Sequence, residues 1–376
     1  MENKGLVPAM WKKIAIAAMI CALAALVGVV TLMNKQPAAA VAETVDAKEA
    51  LSYWTDDSPL KQELTAYMET ITDPSSPDFI PVANRVAVFD FDGTLFCETD
   101  PNYFDYMLLV HRVLEDENYT PSDFEKETAE KIVDMNTTGA KYEGIEVDHG
   151  RCIASSFAGM TFEEFDAYVQ EFKKTAMPSY EGMTRGEGWY LPMIQVVKYL
   201  QANDFNVYII SGTDRFIVRA IVNDSDLMEI FPQDKIIGSD ENVVATAENG
   251  EDGLTYQFKK DSDELVLGGD FMVKNLKMNK VKVISKEIGF QPVLSFGNSM
   301  GDASMADYTL TNNQYKSKAF MLCCDDLERE NGNVKKADDM YKACEEHGWT
   351  PVSMKNDWTT IYGDDVTYKN PVTEEK

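Results

Sequence analysis

Three short apolar runs constrain the fold of this chain more than any other feature. They cover residues 86–89, 207–210 and 293–296, are rich in β-branched side chains, and break off into polar, Gly-containing sequence. Strands buried on both faces of a parallel sheet have this pattern. Helical patterns at residues 190–202 and 277–288 precede the second and third runs. The alternation predicts an α/β fold with a doubly wound parallel sheet.

Two segments interrupt this alternation. More than a hundred residues with mainly helical patterning separate the first two runs, although a parallel crossover needs only about a dozen residues. We therefore predict a helical cap domain over residues 101–190, with the α/β core formed by residues 43–100 and 191–376. Apolar and polar residues alternate at 243–258 and 264–271 around Asn-Gly and Asp-Gly pairs, which predicts a β-hairpin insertion.

The amino terminus differs from the rest of the chain. Three lysines precede an unbroken apolar run at residues 14–33, which is long enough to span a bilayer as a helix. The basic side of such a segment normally stays in the cytoplasm, so we expect the remainder to be exported, on the extracytoplasmic side. Residues 1–42 are thus predicted to be an uncleaved membrane anchor, which the length of the run favours, or a cleaved signal peptide.

The charge of the chain excludes some partners. Its formal net charge is −28 at pH 7, whereas nucleic acids and anionic membrane surfaces are bound by clustered Lys and Arg. We expect no nucleic-acid partner, and membrane contact only through the N-terminal segment. The sequence leaves the oligomeric state open.

The cysteines do not form a recognisable framework. Five of the six lie beyond residue 42, and an odd number is not typical of a disulfide-stabilised fold. One bridge, from Cys344 to Cys323 or Cys324, stays open. With only three histidines in the chain, a structural zinc site is not expected.

Each of the three apolar runs ends in reactive side chains. In open α/β sheets ligands bind beyond the carboxyl ends of the strands, so these side chains should meet in one crevice. Lys280, at the start of the helix before the third run, lies within reach of it. The clusters contain Asp90, Asp92 and Thr94 after the first run, Ser211, Gly212 and Thr213 after the second, and Asn298 and Asp302 after the third.

These residue types fit phosphoryl transfer. Asp90 and Asp92 are two positions apart on a strand leaving the sheet, so their side chains begin on the same side. A carboxylate nucleophile splits the reaction into two steps through an aspartyl-phosphate. A second carboxyl group can protonate the leaving oxygen and later deprotonate the attacking water. The pair predicts a phosphohydrolase with Asp90 as nucleophile.

The other polar residues can hold a metal ion and the phosphate. Mg²⁺ prefers oxygen ligands, which Asp90, Asp302 and Asn298 can supply. Ser211 and Lys280 would bind and neutralise the transferring oxygens. Each string alone is a weak signal, since Asp- and Thr-rich loops and Ser-Gly turns are common. Their order, directly after three buried strands, makes catalysis the better interpretation.

Residues 86–94, 207–213, 280 and 297–302 resemble, in the same order, the four motifs of the haloacid dehalogenase superfamily. The long first insertion is similar to the helical cap of phosphoserine phosphatases. Residues 96–98, 158–161 and 348–361 resemble an exported branch of phosphoserine-phosphatase-like hydrolases, and the similarity runs from about residue 51 to about residue 363.

This resemblance implies a role for each site residue. Asp90 would be the nucleophile, Asp92 the acid/base and a metal ligand through its carbonyl, and Asp302 a ligand of Mg²⁺. Ser211 and Lys280 would bind phosphate, and Thr94 and Gly212 complete that predicted set. Asn298 stands where many superfamily phosphatases have a carboxylate, so the metal site has one negative charge fewer.

The substrate is expected to be a small phosphomonoester. Glu98 resembles the acidic residues that contact a substrate amine in phosphoserine phosphatases, although it could equally be a solvated loop residue. Arg151 and Arg185 in the cap could bind a substrate carboxylate, but surface salt bridges are the simpler interpretation. The tyrosines and phenylalanines of the cap are expected to form its core.

Other functions stay open. Within the same superfamily the alternatives are phosphonate hydrolysis and phosphotransfer to an alcohol. Outside catalysis, the alternative is a silent cell-surface binding protein that keeps the fold. The intact set of Asp90, Asp92, Ser211, Lys280 and Asp302 argues against a silent site, which would not need all five.

Overall fold

The computed structural model describes residues 47–370, and its centre is a seven-stranded sheet. The strands of the sheet follow the order β5-β4-β3-β1-β6-β7-β8, and β2 pairs separately with β9. Within the seven-stranded sheet, all neighbouring strands are parallel except β4 and β5, which are antiparallel. This confirms the predicted doubly wound sheet. The strands are β1 (Val86–Phe89), β2 (Tyr180–Glu181), β3 (Asn206–Asp214), β4 (Ile236–Ala245), β5 (Leu265–Val273), β6 (Leu294–Gly297), β7 (Lys318–Cys323), β8 (Thr350–Ser353) and β9 (Thr367–Tyr368).

Helices cover the sheet and form the insertion after β1. Two of them, α3 and α9, continue into a π-helical turn, at His111–Glu115 and Ile284–Ile288. The helices are α1 (Ala47–Ala50), α2 (Pro59–Thr72), α3 (Phe104–Val110), α4 (Asp123–Thr138), α5 (Ile145–Ser156), α6 (Phe162–Lys173), α7 (Leu191–Ala202), α8 (Arg215–Val222), α9 (Met278–Val283), α10 (Ala303–Leu310), α11 (Val334–His347) and α12 (Met354–Asp357).

The middle of the sheet is apolar on both faces. All four residues of β1 and of β6 are buried, as expected for parallel strands covered on both sides. Phe89 pairs in register with Ile209 on one side and with Phe296 on the other. The rings of Phe89 and Phe296 stack with centroids 4.2 Å apart. The carboxyl ends of β1, β3 and β6 are therefore neighbours at one edge of the sheet.

Helices α3 to α6 form the insertion between β1 and β3. Both α4 and α6 begin with a capping box, Ser122 with Glu125 and Thr161 with Glu164, in which each side chain bonds to the other residue's backbone N–H. Helix α6 buries Phe165, Val169 and Phe172 at the helical spacing that the sequence shows. The helical insertion is confirmed.

Strands β4 and β5 form the predicted antiparallel hairpin, but its strands are shorter at the turn. Strand β4 ends at Ala245 and strand β5 begins at Leu265, and residues 246–264 between them form turns. Asn249 and Gly250 adopt positive φ angles of 49° and 78°, and the Asp252 carboxylate accepts the N–H of Leu254 at 2.8 Å. Both glycine turns thus lie inside one long loop instead of closing a tight hairpin.

The described cap and core belong to one compact unit, so the division at residues 101 and 190 stays a prediction. The five cysteines in the described part of the chain are free, and the bridge from Cys344 to Cys323 or Cys324 is absent. Between residues 47 and 370, no helix has the length and apolar character needed to cross a membrane. The apolar run at 14–33 lies outside the described residues.

Candidate active site

A cavity of about 270 Å³ lies where β1, β3 and β6 end. It brings together side chains that are far apart in sequence, as the strand pattern predicts. Six of the nine predicted site residues line it, and Lys280 hydrogen-bonds to two of these six. Those six are Asp90, Asp92, Glu98, Gly212, Asn298 and Asp302.

Lys280 joins the first and third clusters. Its Nζ donates to Oδ1 of Asp90 at 2.5 Å and to Oδ1 of Asp302 at 2.6 Å, and its side chain is completely buried. Burial alone would lower the pKa of Lys280, but the carboxylates of Asp302 and Asp90 outweigh it and raise that pKa. Burial and the neighbouring charge of Asp302 raise the pKa of Asp90 to about 7, and Lys280 acts against them.

A residue of the second cluster, Thr213, hydrogen-bonds to Asp92. Oγ1 of Thr213 donates to its Oδ2 at 2.7 Å, and its Oδ1 is buried without a hydrogen-bond partner. Burial, followed by the nearby carboxylate of Asp105, raises the pKa of Asp92. One oxygen is thus fixed, while the other is free to bond to a ligand.

The loop after β6 is organised around Asp302. Its Oδ2 accepts the backbone N–H groups of Asn298 and Ser299, each at 3.1 Å, and the hydroxyl of Ser299 at 3.2 Å. Because Oδ1 is bonded to Lys280, both oxygens of this carboxylate are fixed by the protein. These hydrogen bonds hold the backbone of the loop in place at the cavity.

Asn298 also contacts the loop after β1. Its side-chain amide lies beside the carboxyl group of Glu98 and works against the burial that raises the pKa of Glu98. Gly93 makes the approach possible. Its φ is 71°, and a Cβ there would lie 1.8 Å from Nδ2 of Asn298 and 2.6 Å from Cδ of Glu98. A side chain at position 93 would displace the ends of both side chains, and the positive φ would strain it.

The donor set fits Mg²⁺. Two carboxylates, Asp90 and Asp302, lie close together around Lys280 and can bind the ion. No group of three His, Cys, Asp or Glu side chains suited to a metal occurs within residues 47–370. The carbonyl of Asp92 and the amide oxygen of Asn298 are further oxygen donors. Mg²⁺ is commonly bound by one or two carboxylates together with waters and substrate phosphate. The residues present can therefore hold this ion.

Two predicted phosphate-binding residues do not reach the cavity. The side chains of Ser211 and Thr94 are fully buried. Oγ of Ser211 accepts the backbone N–H of Thr213 at 2.9 Å, whereas Oγ1 of Thr94 has no partner. Gly212 and Thr213 line the cavity in their place. Contact of Ser211 or Thr94 with phosphate stays a prediction.

The cap supplies lining residues that the sequence analysis missed. Tyr103 and Tyr106 line the cavity, although we expected the cap tyrosines only in its core. The one available signal was their spacing of three residues around the start of a helix, which places both on one face. Others that were missed are Asp105, Glu146, Lys274, Leu276 and Ser299.

The two arginines considered for the substrate do not line the cavity. Arg185 is buried and lies 3.1 Å from Oδ2 of Asp100. Arg151 is exposed and lies 3.5 Å from Oδ1 of Asp148. The pair of Arg151 is a surface salt bridge, as the simpler interpretation expected, whereas the pair of Arg185 is buried.

The chain has weak similarity to several solved structures. A conserved protein of unknown function from Anaerococcus prevotii is 12% identical, with 78% of this chain and 91% of that chain covered and a TM-score of 0.47. Cytosolic 5'-nucleotidase IIIB bound to cytidine is 12% identical, with 83% and 93% covered and a TM-score of 0.47.

A phosphoserine phosphohydrolase-like protein from Francisella tularensis is 15% identical, with 72% and 95% covered and a TM-score of 0.37. At these identities and scores the structures carry no information on the substrate of this chain. No curated protein matches the sequence significantly.

A family model gives the decisive match. The model described as haloacid dehalogenase-like hydrolase matches residues 87–307, a segment that begins in β1 and ends in α10 and contains Lys280 and all three clusters of the site. The chain therefore belongs to the haloacid dehalogenase-like hydrolase family.

Proposed function

We propose that this protein is a phosphomonoesterase that forms an aspartyl-phosphate on Asp90. The observation that carries the proposal is the buried Nζ of Lys280 between Asp90 and Asp302, at 2.5 Å and 2.6 Å, with Asp92 on the same cavity. Two carboxyl groups and a fixed cation beside a cavity of about 270 Å³ are what nucleophilic phosphoryl transfer requires.

In the first step a carboxylate oxygen of Asp90 attacks phosphorus, and the bond from phosphorus to the alcohol oxygen breaks. Asp92 gives its proton to the leaving oxygen, so the alcohol departs neutral. The bond from Thr213 at 2.7 Å holds one oxygen of Asp92 and leaves the other for this transfer. Lys280 keeps Asp90 oriented and balances negative charge.

In the second step water attacks the phosphorus of the aspartyl-phosphate. Asp92, now ionised, accepts a proton from that water, and the bond between phosphorus and Asp90 breaks. Inorganic phosphate leaves, and both aspartates return to their starting states. Mg²⁺, held by Asp90, Asp302, the Asp92 carbonyl and Asn298, would supply positive charge for the phosphate oxygens.

A phosphate-release screen of the purified full-length protein tests this proposal. We expect release from p-nitrophenyl phosphate and from small alkyl phosphates, and loss of release in EDTA with recovery on adding Mg²⁺. Phosphonates of matched structure test for phosphonate hydrolysis, and added alcohols test for phosphotransfer to an alcohol. No release from any phosphomonoester with Mg²⁺ present would refute the proposal.

We also propose that the enzyme works on the extracytoplasmic side of a membrane. The support is the lysine-flanked apolar run at residues 14–33. Alkaline phosphatase fused after residue 376 should be active in cells, since that reporter requires export. Activity of a cytoplasmic reporter at the same position would contradict the proposed location.

A further inference from the structure

Part of the cavity wall is not used by the phosphoryl chemistry. It comes from the loop after β1, from α3 and α5 of the cap, and from the segment after β5. A phosphomonoester whose phosphorus lies beside Asp90 must direct its alcohol portion toward this part of the wall. The residues concerned are Glu98, Tyr103, Asp105, Tyr106, Glu146 and Lys274.

The wall is strongly acidic. Six of the fourteen lining residues are Asp or Glu, and among the described residues Lys274 is the only Lys or Arg on the lining. The phosphate group and Mg²⁺ account for the carboxylates at the strand ends, but Glu98, Asp105 and Glu146 lie beyond them. An alcohol with its own carboxylate would be repelled here, whereas a cationic alcohol would be attracted.

Asp105 is the most deeply buried of these three carboxylates. Its side chain is 2% exposed, and its Oδ1 has no hydrogen-bond partner. Its Oδ2 is 3.8 Å from Nδ1 of His149. Burial lowers the pKa of His149 to about 4, so that ring is neutral at pH 7 and does not compensate the carboxylate. A buried carboxylate oxygen left unpaired at a cavity wall can be satisfied by a hydrogen-bond donor or a cation from a ligand.

Two aromatic rings stand beside these carboxylates. Tyr103 and Tyr106 meet at an angle of 67° with centroids 5.3 Å apart, and both line the cavity. The faces of such rings attract cations, including quaternary ammonium groups that cannot donate hydrogen bonds.

We infer that the substrate is the phosphate ester of a small amino or alkylammonium alcohol without a carboxylate. Its cationic nitrogen binds between the rings of Tyr103 and Tyr106 and the carboxylates of Glu98, Asp105 and Glu146. This inference rests on the proposed phosphatase function and specifies its substrate class.

Pairs of substrates that match in shape and differ in charge test it on the full-length enzyme. Phosphocholine is compared with 3,3-dimethylbutyl phosphate, in which carbon replaces the charged nitrogen, and phosphoethanolamine with propyl phosphate. We expect kcat/KM to be at least about tenfold higher for the cationic member of a pair. Phosphoserine, which adds a carboxylate to phosphoethanolamine, should be the poorer substrate of the two.

Variants locate the effect. Glu146→Gln and Asp105→Asn should each reduce the preference for phosphocholine over its neutral isostere by several-fold. Glu143→Gln, an exposed glutamate near the start of the same helix that does not line the cavity, should leave that ratio unchanged. Glu146 is also exposed, so its replacement tests the site even if Asp105→Asn does not fold.

The outcomes separate this inference from the proposed function. Hydrolysis of p-nitrophenyl phosphate and neutral alkyl phosphates without a preference for cations would overturn the inference and leave the phosphatase intact. A preference for phosphoserine over phosphoethanolamine would overturn it as well. The absence of phosphate release from every ester would refute both.

Discussion

The hydroxyl of Thr213 donates to Oδ2 of Asp92 over 2.7 Å, and both side chains are buried. The bond joins the end of β3 to the loop after β1, two elements that are more than a hundred residues apart. It leaves Oδ1 of Asp92 without a protein partner. The acid/base of the proposed reaction is therefore oriented by a residue of the neighbouring strand.

Removal of this bond should slow the reaction. We expect Thr213→Val to lower kcat for alkyl phosphates by about tenfold or more, because a hydrogen bond to a charged group contributes about 1.5–3 kcal/mol. Thr213→Ser keeps the hydroxyl and should retain most of the activity. Equal losses in the two variants, measured by phosphate release, would show that the bond itself has no role.

Asp92→Asn removes the proton donor. The cost should be on the order of a hundredfold or more for alkyl phosphates, and smaller for aryl phosphates, whose leaving groups need less protonation. The measurement is kcat for both classes with the variant and with wild type. An equal loss for the two classes would remove Asp92 from this role.

Asn298 should set the demand for metal. Asn298→Asp adds a carboxylate to the oxygen donors, and hard cations respond strongly to ligand charge. We expect it to lower the Mg²⁺ concentration for half-maximal activity, and Asn298→Ala to raise it. If Asn298 only shapes the loop, both variants would lose activity equally at all Mg²⁺ concentrations. Unchanged half-activation in both would exclude it from the metal site.

His149 should make stability depend on pH. Its pKa in the folded protein is about 4, because burial opposes the charged form, whereas the ordinary pKa of histidine is 6.5. Below about pH 6.5 the unfolded chain binds a proton that the folded protein does not. Stability from this group is therefore complete above that pH and is lost as the pH falls toward 4. The loss is on the order of 3 kcal/mol.

Urea unfolding of wild type and His149→Gln between pH 7.5 and pH 4.5 measures this effect. The groups that face the ring are the carboxylate of Asp105, the ammonium of Lys274 and the ring of Tyr106, whose centroid is 4.1 Å away. Wild type should lose more stability on acidification than the variant. Parallel losses would assign the pH dependence to other groups.

The site residues that directly follow a buried strand could be predicted from the sequence. A buried strand followed at once by polar residues specifies both an element and its carboxyl end, so Asp90, Asp92, Asn298 and Asp302 could be assigned to one crevice. The order of the strands was not needed. Lys280 could be placed within reach of the same crevice, because it lies at the start of the helix before the third run.

The site residues that the sequence did not predict are placed by contacts between segments that are distant in sequence. Strand β3 extends to Asp214 with an irregular register after Ile210, so the alternation of side chains cannot be continued to Ser211 and Thr213. Thr213 lies within this irregular stretch and donates to Asp92. Tyr103, Asp105 and Tyr106 reach the cavity because the cap folds back over the sheet, and a helical pattern does not specify that packing.

Phosphate release by Asp90→Asn tests the central claim most directly. The amide keeps the size and shape of the side chain but cannot attack phosphorus. The variant should unfold cooperatively, as wild type does, and release no phosphate above background from p-nitrophenyl phosphate at saturating Mg²⁺. Release at a rate close to that of wild type from a folded Asp90→Asn protein would contradict the account.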